Sequence, residues 1–233
     1  MSNSDKNCLL FFVKYPGKGQ VKTRLSADLD EDITVELYRN FILDLLSMLK
    51  GLGIQFQICF SPADSQEKFE KWLGTQYSYV PQQGDDLGQR MKNAFIQAFD
   101  QGFQRVAIIG SDSPDLPGDS INEAFLYLET HDAVIGPSAD GGYYLIGFNK
   151  AAFLPEAFEG IEWSTDMVLR KTLSILEKAG LKFRQLPAWR DVDTLDDLKN
   201  LVQRSHNKSF SSSRTMLYIS KNYPQSTKFS SGH

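Results

Sequence analysis

Apolar runs alternate along the chain with stretches in which apolar positions recur every three or four residues. The run 8–14 (CLLFFVK) is apolar at successive positions, the pattern of a strand buried on both faces of a sheet. After the breakers Pro16, Gly17 and Gly19, one helical face gathers Tyr38, Phe41, Ile42, Leu45, Leu46 and Leu49. This predicts a helix over 31–50, capped by Asp30 or Asp32 and stopped by Gly51 and Gly53. The alternation continues in kind. Further strands are expected at 54–60, 77–80, 105–110, 133–136, 143–148 and 182–186, with helices at 66–73, 87–99, 120–128, 165–179 and 195–202. The 143–148 strand is expected to run antiparallel. The pattern predicts an α/β fold, a mostly parallel Rossmann-like sheet with helices on both faces, whose sites lie at the carboxyl ends of the strands. Residues 1–202 read as a single domain. Residues 203–233, rich in Ser, Lys, Asn and Thr and without periodicity, read as a flexible tail in which 216–220 (MLYIS) offers at most a short strand.

Composition removes several classes of function. The 25 Lys and Arg are outnumbered by 29 Asp and Glu, for a net charge of -4. That argues against a nucleic-acid partner and against a polybasic membrane patch. No apolar run approaches the roughly 18 residues of a membrane span. The polar N-terminus lacks the shape of a signal peptide, so a cytoplasmic location is expected. Cys8 and Cys59 sit in apolar runs and read as buried thiols rather than a disulfide or zinc site. His131, His206 and His233 are scattered, which disfavours histidine catalysis, and Ser113 stands outside a G-x-S-x-G elbow, which disfavours a hydrolase triad. The sequence carries no signal of an oligomeric state.

Against that background the charged loops that follow predicted strands stand out. The first, KYPGKGQVKTRL, places Lys14, Lys18, Lys22 and Arg24 within eleven residues of an acidic protein. Gly17 and Gly19 let the backbone come close to a ligand, and the cations suit a diphosphate or triphosphate, although neither a P-loop nor G-x-G-x-x-G is present. A solvated basic loop is the plain alternative. The second, GSDSPDLPG, sets Asp112 directly after a buried strand, where a carboxylate is costly unless it meets a cation or donors. Mg²⁺ takes one or two carboxylates plus phosphate oxygens, which makes Asp112 a candidate ligand. Asp115 is accounted for by a turn, and Asp119 or Ser120 by a helix cap. The third, around Asp140, Gly141 and Gly142, is a tight turn that can also aim Asp140 at a substrate given room by the glycines. In the fourth, WRDVDTLDDL, Thr194 and Asp197 form a capping box, leaving Asp191 and Asp193 as possible second metal ligands. Gly88 and Arg90 open a helix and are a plausible nucleotide contact. Ser164 or Thr165 can cap another helix, and Trp163 is either packing or a pocket wall.

Taken together, K-x-P-x-x-G-x-V-K-T-R-L, G-S-D-S-P-D-L-P, D-G-G-Y-Y-L-I-G, W-S-T and D-V-D-T-x-x-D-L, in that order from Cys8 to Leu201, resemble a bacterial family of GT-A-fold nucleotide-diphospho-sugar transferases. Some of its members are associated with arsenosugar biosynthesis. The K-T-R-L segment is similar to the K-S-R-L of phospholactate guanylyltransferases, and the late D-x-D-T-x-x-D-L to a motif of molybdopterin cytidylyltransferases. The Gly-Gly-x-Gly-x-Arg opening of nucleotidyltransferases is absent. The resemblance implies a nucleotide site at Lys14, Gly17, Gly19, Lys22, Thr23, Arg24, Gly88, Arg90 and Ser111. It implies a metal, Mg²⁺ or Mn²⁺, on Asp112 with Asp191 or Asp193. Asp140, Gly141, Gly142, Tyr143, Trp163, Ser164 and Thr165 would line the acceptor, with Lys22, Arg24, Asp112 and Asp140 as the catalytic set. The expected partners are a nucleotide or nucleotide-sugar and a small acceptor. The expected reaction is metal-dependent sugar transfer from a nucleotide-diphospho-sugar; the alternatives are nucleotidyl transfer from an NTP to a phosphorylated molecule, and nucleotide binding without turnover.

Overall fold

The computed structural model describes residues 6–205 and 209–223. Its strands are β1 (Asn7–Lys14), β2 (Phe56–Ser61), β3 (Ser78–Pro81), β4 (Arg105–Ile109), β5 (Ala133–Pro137), β6 (Tyr143–Asn149) and β7 (Phe183–Gln185). They form one seven-stranded sheet in the order β3-β2-β1-β4-β6-β5-β7. β1 pairs in parallel with β2 and β4, β2 with β3, and β5 with β7. β6 is the antiparallel member between β4 and β5, the direction expected for 143–148. Because β1 and β4 are parallel neighbours, the chain leaves both at one edge, after Lys14 and Ile109.

The helices are α1 (Thr23–Ser26), α2 (Glu31–Leu52), α3 (Gln66–Leu73), α4 (Leu87–Asp100), α5 (Gly118–Tyr127), α6 (Val168–Lys178), α7 (Leu195–Ser205) and α8 (Arg214–Asn222). By its contacts the chain falls into two units that alternate along the sequence. One comprises 1–15, 52–110 and 117–189; the other 16–51, 111–116 and 190–233.

The first unit holds the whole sheet. On one face Cys8, Leu10, Phe12, Val106, Ile108 and Phe148 pack with Met91, Phe95 and Phe99 of α4 into a single apolar cluster. Phe95 meets Phe148 edge-on with ring centroids 5.5 Å apart, a favoured aromatic arrangement. On the other side of the sheet Phe60 lies against Phe69 of α3. Both cysteines are buried and free. Burial pushes the Cys8 thiol up to about 12 and raises Cys59 as well, so these are inert core thiols.

The second unit contains α1, α2, α7 and α8. Asp30 caps α2, its Oδ1 accepting from the backbone N–H of Asp32 at 2.8 Å and of Ile33 at 3.4 Å. Thr194 and Asp197 make the expected capping box at α7: Asp197 Oδ2 accepts from Thr194 N at 2.9 Å, and Thr194 Oγ1 accepts from Asp197 N at 3.2 Å. In the segment composition marked as a flexible tail, residues 214–222 are the helix α8. Ser213 caps it, accepting from Met216 N at 3.1 Å. Asp44 of α2 accepts from the backbone N–H of Arg214 and Thr215 at 3.0 and 2.9 Å, and Thr215 and Ile219 are buried. His206 and His233 lie outside the described residues.

Two helix starts differ from expectation. α5 begins at Gly118 with Pro117 at the N-cap, so neither Asp119 nor Ser120 caps it. α6 begins at Val168 with no side-chain cap. Thr165 instead turns its hydroxyl back to the Glu162 carbonyl at 2.8 Å, and Ser164 is held at φ 68.

Candidate functional site

Lys22 of the first loop, Asp112 of the second and Asp193 of the fourth meet in the second unit. Lys22 Nζ donates to Asp193 Oδ1 at 2.7 Å and also pairs with Asp112 Oδ1. The Lys22 side chain is only 3% exposed, while those of Asp112 and Asp193 are 48% and 41% exposed. The ammonium is therefore enclosed while both carboxylates still reach solvent. It also stands 5.9 Å from the centroid of the Phe41 ring on α2. Burial alone would pull the Lys22 pKa down; the charges and hydrogen bonds of Asp112 and Asp193 more than offset it and hold the ammonium well above the ordinary lysine range.

Local structure keeps Lys22 in place at a cost. It precedes the single turn α1 in a left-handed conformation, φ 49 and ψ 43, which costs a non-glycine residue about 1–2 kcal/mol. Gly19, also at positive φ, has open space around it, and Gly17 accepts from Gln20 N at 3.1 Å to close the turn. Thr23 and Arg24 begin α1 and are exposed.

The segment 111–116 carrying Asp112 is laced to the segment 190–204. Val192 N donates to the Asp112 carbonyl at 2.8 Å, and Ser113 Oγ donates to Asp191 Oδ1 at 2.5 Å. Arg204 of α7 donates to both oxygens of Asp115 at 2.7 and 2.8 Å, and to the Arg190 carbonyl at 3.2 Å. Ser111 Oγ and Tyr38 Oη of α2 are 2.7 Å apart, both buried. These contacts separate the two late aspartates: Asp193 faces Lys22 with Asp112, while Asp191 is bound to Ser113. Tyr38, Ser113 and Arg204 were not singled out as site residues. Arg204 and Asp115 are 89 residues apart, and no local pattern links them.

The donor chemistry suits a cation at the Asp112–Asp193 pair, because the two carboxylates already converge on one positive charge. Among the described residues no three His, Cys, Asp or Glu side chains gather as a metal cage. The pair is what Mg²⁺ takes from proteins when phosphate oxygens and water complete its shell.

The remaining candidates belong to the first unit, where several have structural duties. Lys14 ends β1 and is exposed. A Cβ on Gly88 would lie 2.5 Å from the Phe158 carbonyl oxygen and 2.6 Å from the Trp163 ring, so Gly88 is the floor on which Trp163 sits. Arg90 Nε donates to the Gly84 carbonyl at 2.9 Å. Trp163 and Phe158 line a pocket of about 360 Å³ with Asp86, Gln89 and Asn93. Asp140 is exposed, and its Oδ1 accepts from Gly142 N at 3.0 Å, the Asx turn that its sequence predicts. Gly141, at φ 91, has the Asp166 backbone where a Cβ would be, 2.3 Å from its carbonyl oxygen. The Tyr143 hydroxyl is buried beside Thr172, and burial raises its pKa.

A parallel sheet with one antiparallel insertion and charged loops after β1 and β4 defines the fold of nucleotide-diphospho-sugar transferases and nucleotidyltransferases. A family model described as an uncharacterized protein conserved in bacteria (DUF2064) matches residues 45–165, and the chain belongs to that family. It is similar to a solved protein from Desulfovibrio desulfuricans G20, provisionally named a nucleotide-diphospho-sugar transferase. The two are 44% identical, the match covers 96% of this chain and 98% of that one, and the TM-score is 0.92. It is also 27% identical over 143 residues to the 2-phospho-L-lactate guanylyltransferase of Methanocaldococcus infernus; the match takes in 61% of this chain and 62% of that protein's length. A cytidylyltransferase from Leptospira borgpetersenii shares the fold, with TM-score 0.55 at 18% identity over 98% of this chain and 99% of that one. Among the described residues no helix is long and apolar enough to cross a membrane.

Proposed function

We propose that this chain is a nucleotidyltransferase that joins the NMP of a nucleoside triphosphate to a phosphorylated small molecule. The observation that carries the reading is the enclosed Lys22 ammonium between Asp112 and Asp193, a built arrangement of charge on the loop expected to hold phosphates. Similarity to a guanylyltransferase favours nucleotidyl over sugar transfer. An oxygen of the acceptor phosphate attacks the α-phosphorus, the α–β bridging P–O bond breaks, and pyrophosphate leaves with the bonding pair. The acceptor oxygen is already anionic, so the step needs no base from the protein. Lys22 and Arg24 supply positive charge to the leaving pyrophosphate. Mg²⁺ or Mn²⁺ on Asp112 and Asp193, when bound, supplies further neutralisation of phosphate charge.

Sugar transfer from a nucleotide-diphospho-sugar is the second reading, favoured by the provisional name of the 44% identical structure. There an acceptor hydroxyl attacks C1, the C1–O bond breaks and a nucleoside diphosphate leaves. A panel of NTPs with phosphorylated acceptors, and of nucleotide sugars with neutral acceptors, separates the two. Pyrophosphate release supports the first reading, nucleoside diphosphate release replaces it with the second, and binding without either product leaves a nucleotide-binding module. The site itself is tested by Asp112→Ala, which should lose metal-dependent nucleotide binding while keeping its fold. Undiminished binding would remove Asp112 from the site.

A further inference from the structure

The contact that defines the site also raises a conflict within it. Lys22 sits on Asp112 Oδ1 and Asp193 Oδ1, the two oxygens that converge closely enough to share one cation. One ammonium between two carboxylates leaves a formal surplus of one negative charge, which a divalent ion would remove. The ammonium and such an ion cannot occupy the same two oxygens. The carboxylates are reachable from solvent, whereas Lys22 is enclosed and held in a left-handed backbone conformation at the end of an open glycine-containing turn.

Resting on the phosphate-site reading above, we infer that Lys22 is a resident cation that exchanges with a divalent metal. In the ligand-free protein its ammonium fills the seat between Asp112 and Asp193. Metal entry expels it, and the displaced ammonium, deprived of its carboxylates, takes an anionic partner, the phosphates of the incoming nucleotide. Metal and phosphate binding are thereby coupled through one side chain, and by linkage each tightens the other. The coupling is a property of Lys22 itself and does not depend on which base, acceptor or reaction the site serves.

The full chain can be titrated with Mn²⁺ alone, following free Mn²⁺ by electron paramagnetic resonance, and then in the presence of inorganic pyrophosphate, with a protein-free titration of the same pyrophosphate subtracted. Wild type should bind Mn²⁺ weakly alone and more tightly with pyrophosphate. Lys22→Met should bind Mn²⁺ alone about ten-fold more tightly than wild type, and pyrophosphate should add little. Lys18→Met, the same charge change on the same loop at a residue paired with Asp32, controls for general electrostatics. Equal Mn²⁺ affinity in Lys22→Met and wild type, or an equal gain in Lys18→Met, would overturn the exchange.

A second readout uses wild type alone, so it stands even if Lys22→Met folds poorly. Acetylation of Lys22 by an active ester, read by peptide mass spectrometry, should be faster with Mg²⁺ than with EDTA and slow again when pyrophosphate is added at the same free Mg²⁺ concentration. Labelling unchanged by Mg²⁺ would overturn the proposal. If exchange fails while nucleotide binding remains metal-dependent, the phosphate-site reading stands without it. Absence of Mn²⁺ binding in every protein, with or without pyrophosphate, overturns both.

Discussion

Arg204 donates from Nε and Nη2 to both oxygens of Asp115, at 2.7 and 2.8 Å, bridging 89 residues of sequence with a two-pronged ion pair. The Asp115 side chain is 6% exposed and that of Arg204 20%. Removing the guanidinium deletes one partner of a largely buried ion pair, a loss of about 3–5 kcal/mol. Arg204→Ala should lower stability by that amount in urea denaturation. Arg204→Lys should recover only part of it, because an ammonium cannot reproduce the planar fork.

Gly88 is required by contact. With Phe158 O and the Trp163 ring 2.5 and 2.6 Å from a would-be Cβ, Gly88→Ala forces the indole or the backbone aside. The expected cost is about 1–3 kcal/mol. Equilibrium unfolding checks it. An unchanged midpoint would mean that Trp163 moves freely, and the pocket it lines would then be reshaped at little cost.

Asp44 holds the N-terminus of α8 by two backbone hydrogen bonds. Asp44→Ala should cost about 1 kcal/mol, in the range of a lost helix cap. The loss should be local. Amide exchange should speed up across 214–222 while β1 and β4 stay protected.

Lys22 makes a pH prediction. Its pKa is raised on folding: burial works against the charge, and Asp112 and Asp193 outweigh burial. A raised lysine pKa contributes stability that is fully present below the unfolded value, about 10.4, and is lost as pH rises through the folded value. The stability difference between wild type and Lys22→Met should therefore stay level between about pH 7 and 9 and shrink only above the unfolded lysine pKa. A difference that already falls below pH 9 would contradict the ion-pair geometry.

How far this molecule was legible depends on the range of each interaction. Strands and helices announced themselves wherever burial imposes a local pattern, as in the β1 run and the α2 face. Caps were legible where side chain and backbone are neighbours, as at Thr194 and Asp197. They were not legible at α6, where Thr165 bonds backward to Glu162 and the helix waits until Val168. α8 was hidden because its anchor, Asp44, is about 170 residues upstream; composition alone made the segment look irregular. The candidate site divides in the same way. The loop chemistry pointed to Lys22, Asp112 and the Asp191/Asp193 pair, but choosing between the two aspartates needs the backbone course from Arg190 to Thr194. Gly88 and Gly141 drew attention as substrate-facing glycines, whereas Trp163 and the Asp166 backbone explain their lack of a side chain.

The interleaving of the two units has a consequence for the growing polypeptide. Every strand of the sheet is synthesised before Arg190, yet Lys22 meets Asp193 across 171 residues, and Asp115 waits for Arg204. On the ribosome the sheet can begin to organise while Lys22 and Asp112 still lack their third member. A product cut short before Arg190 would retain all seven strands and both early loops without the carboxylate that completes the triad. The charge cluster therefore closes only after the chain has passed Asp193.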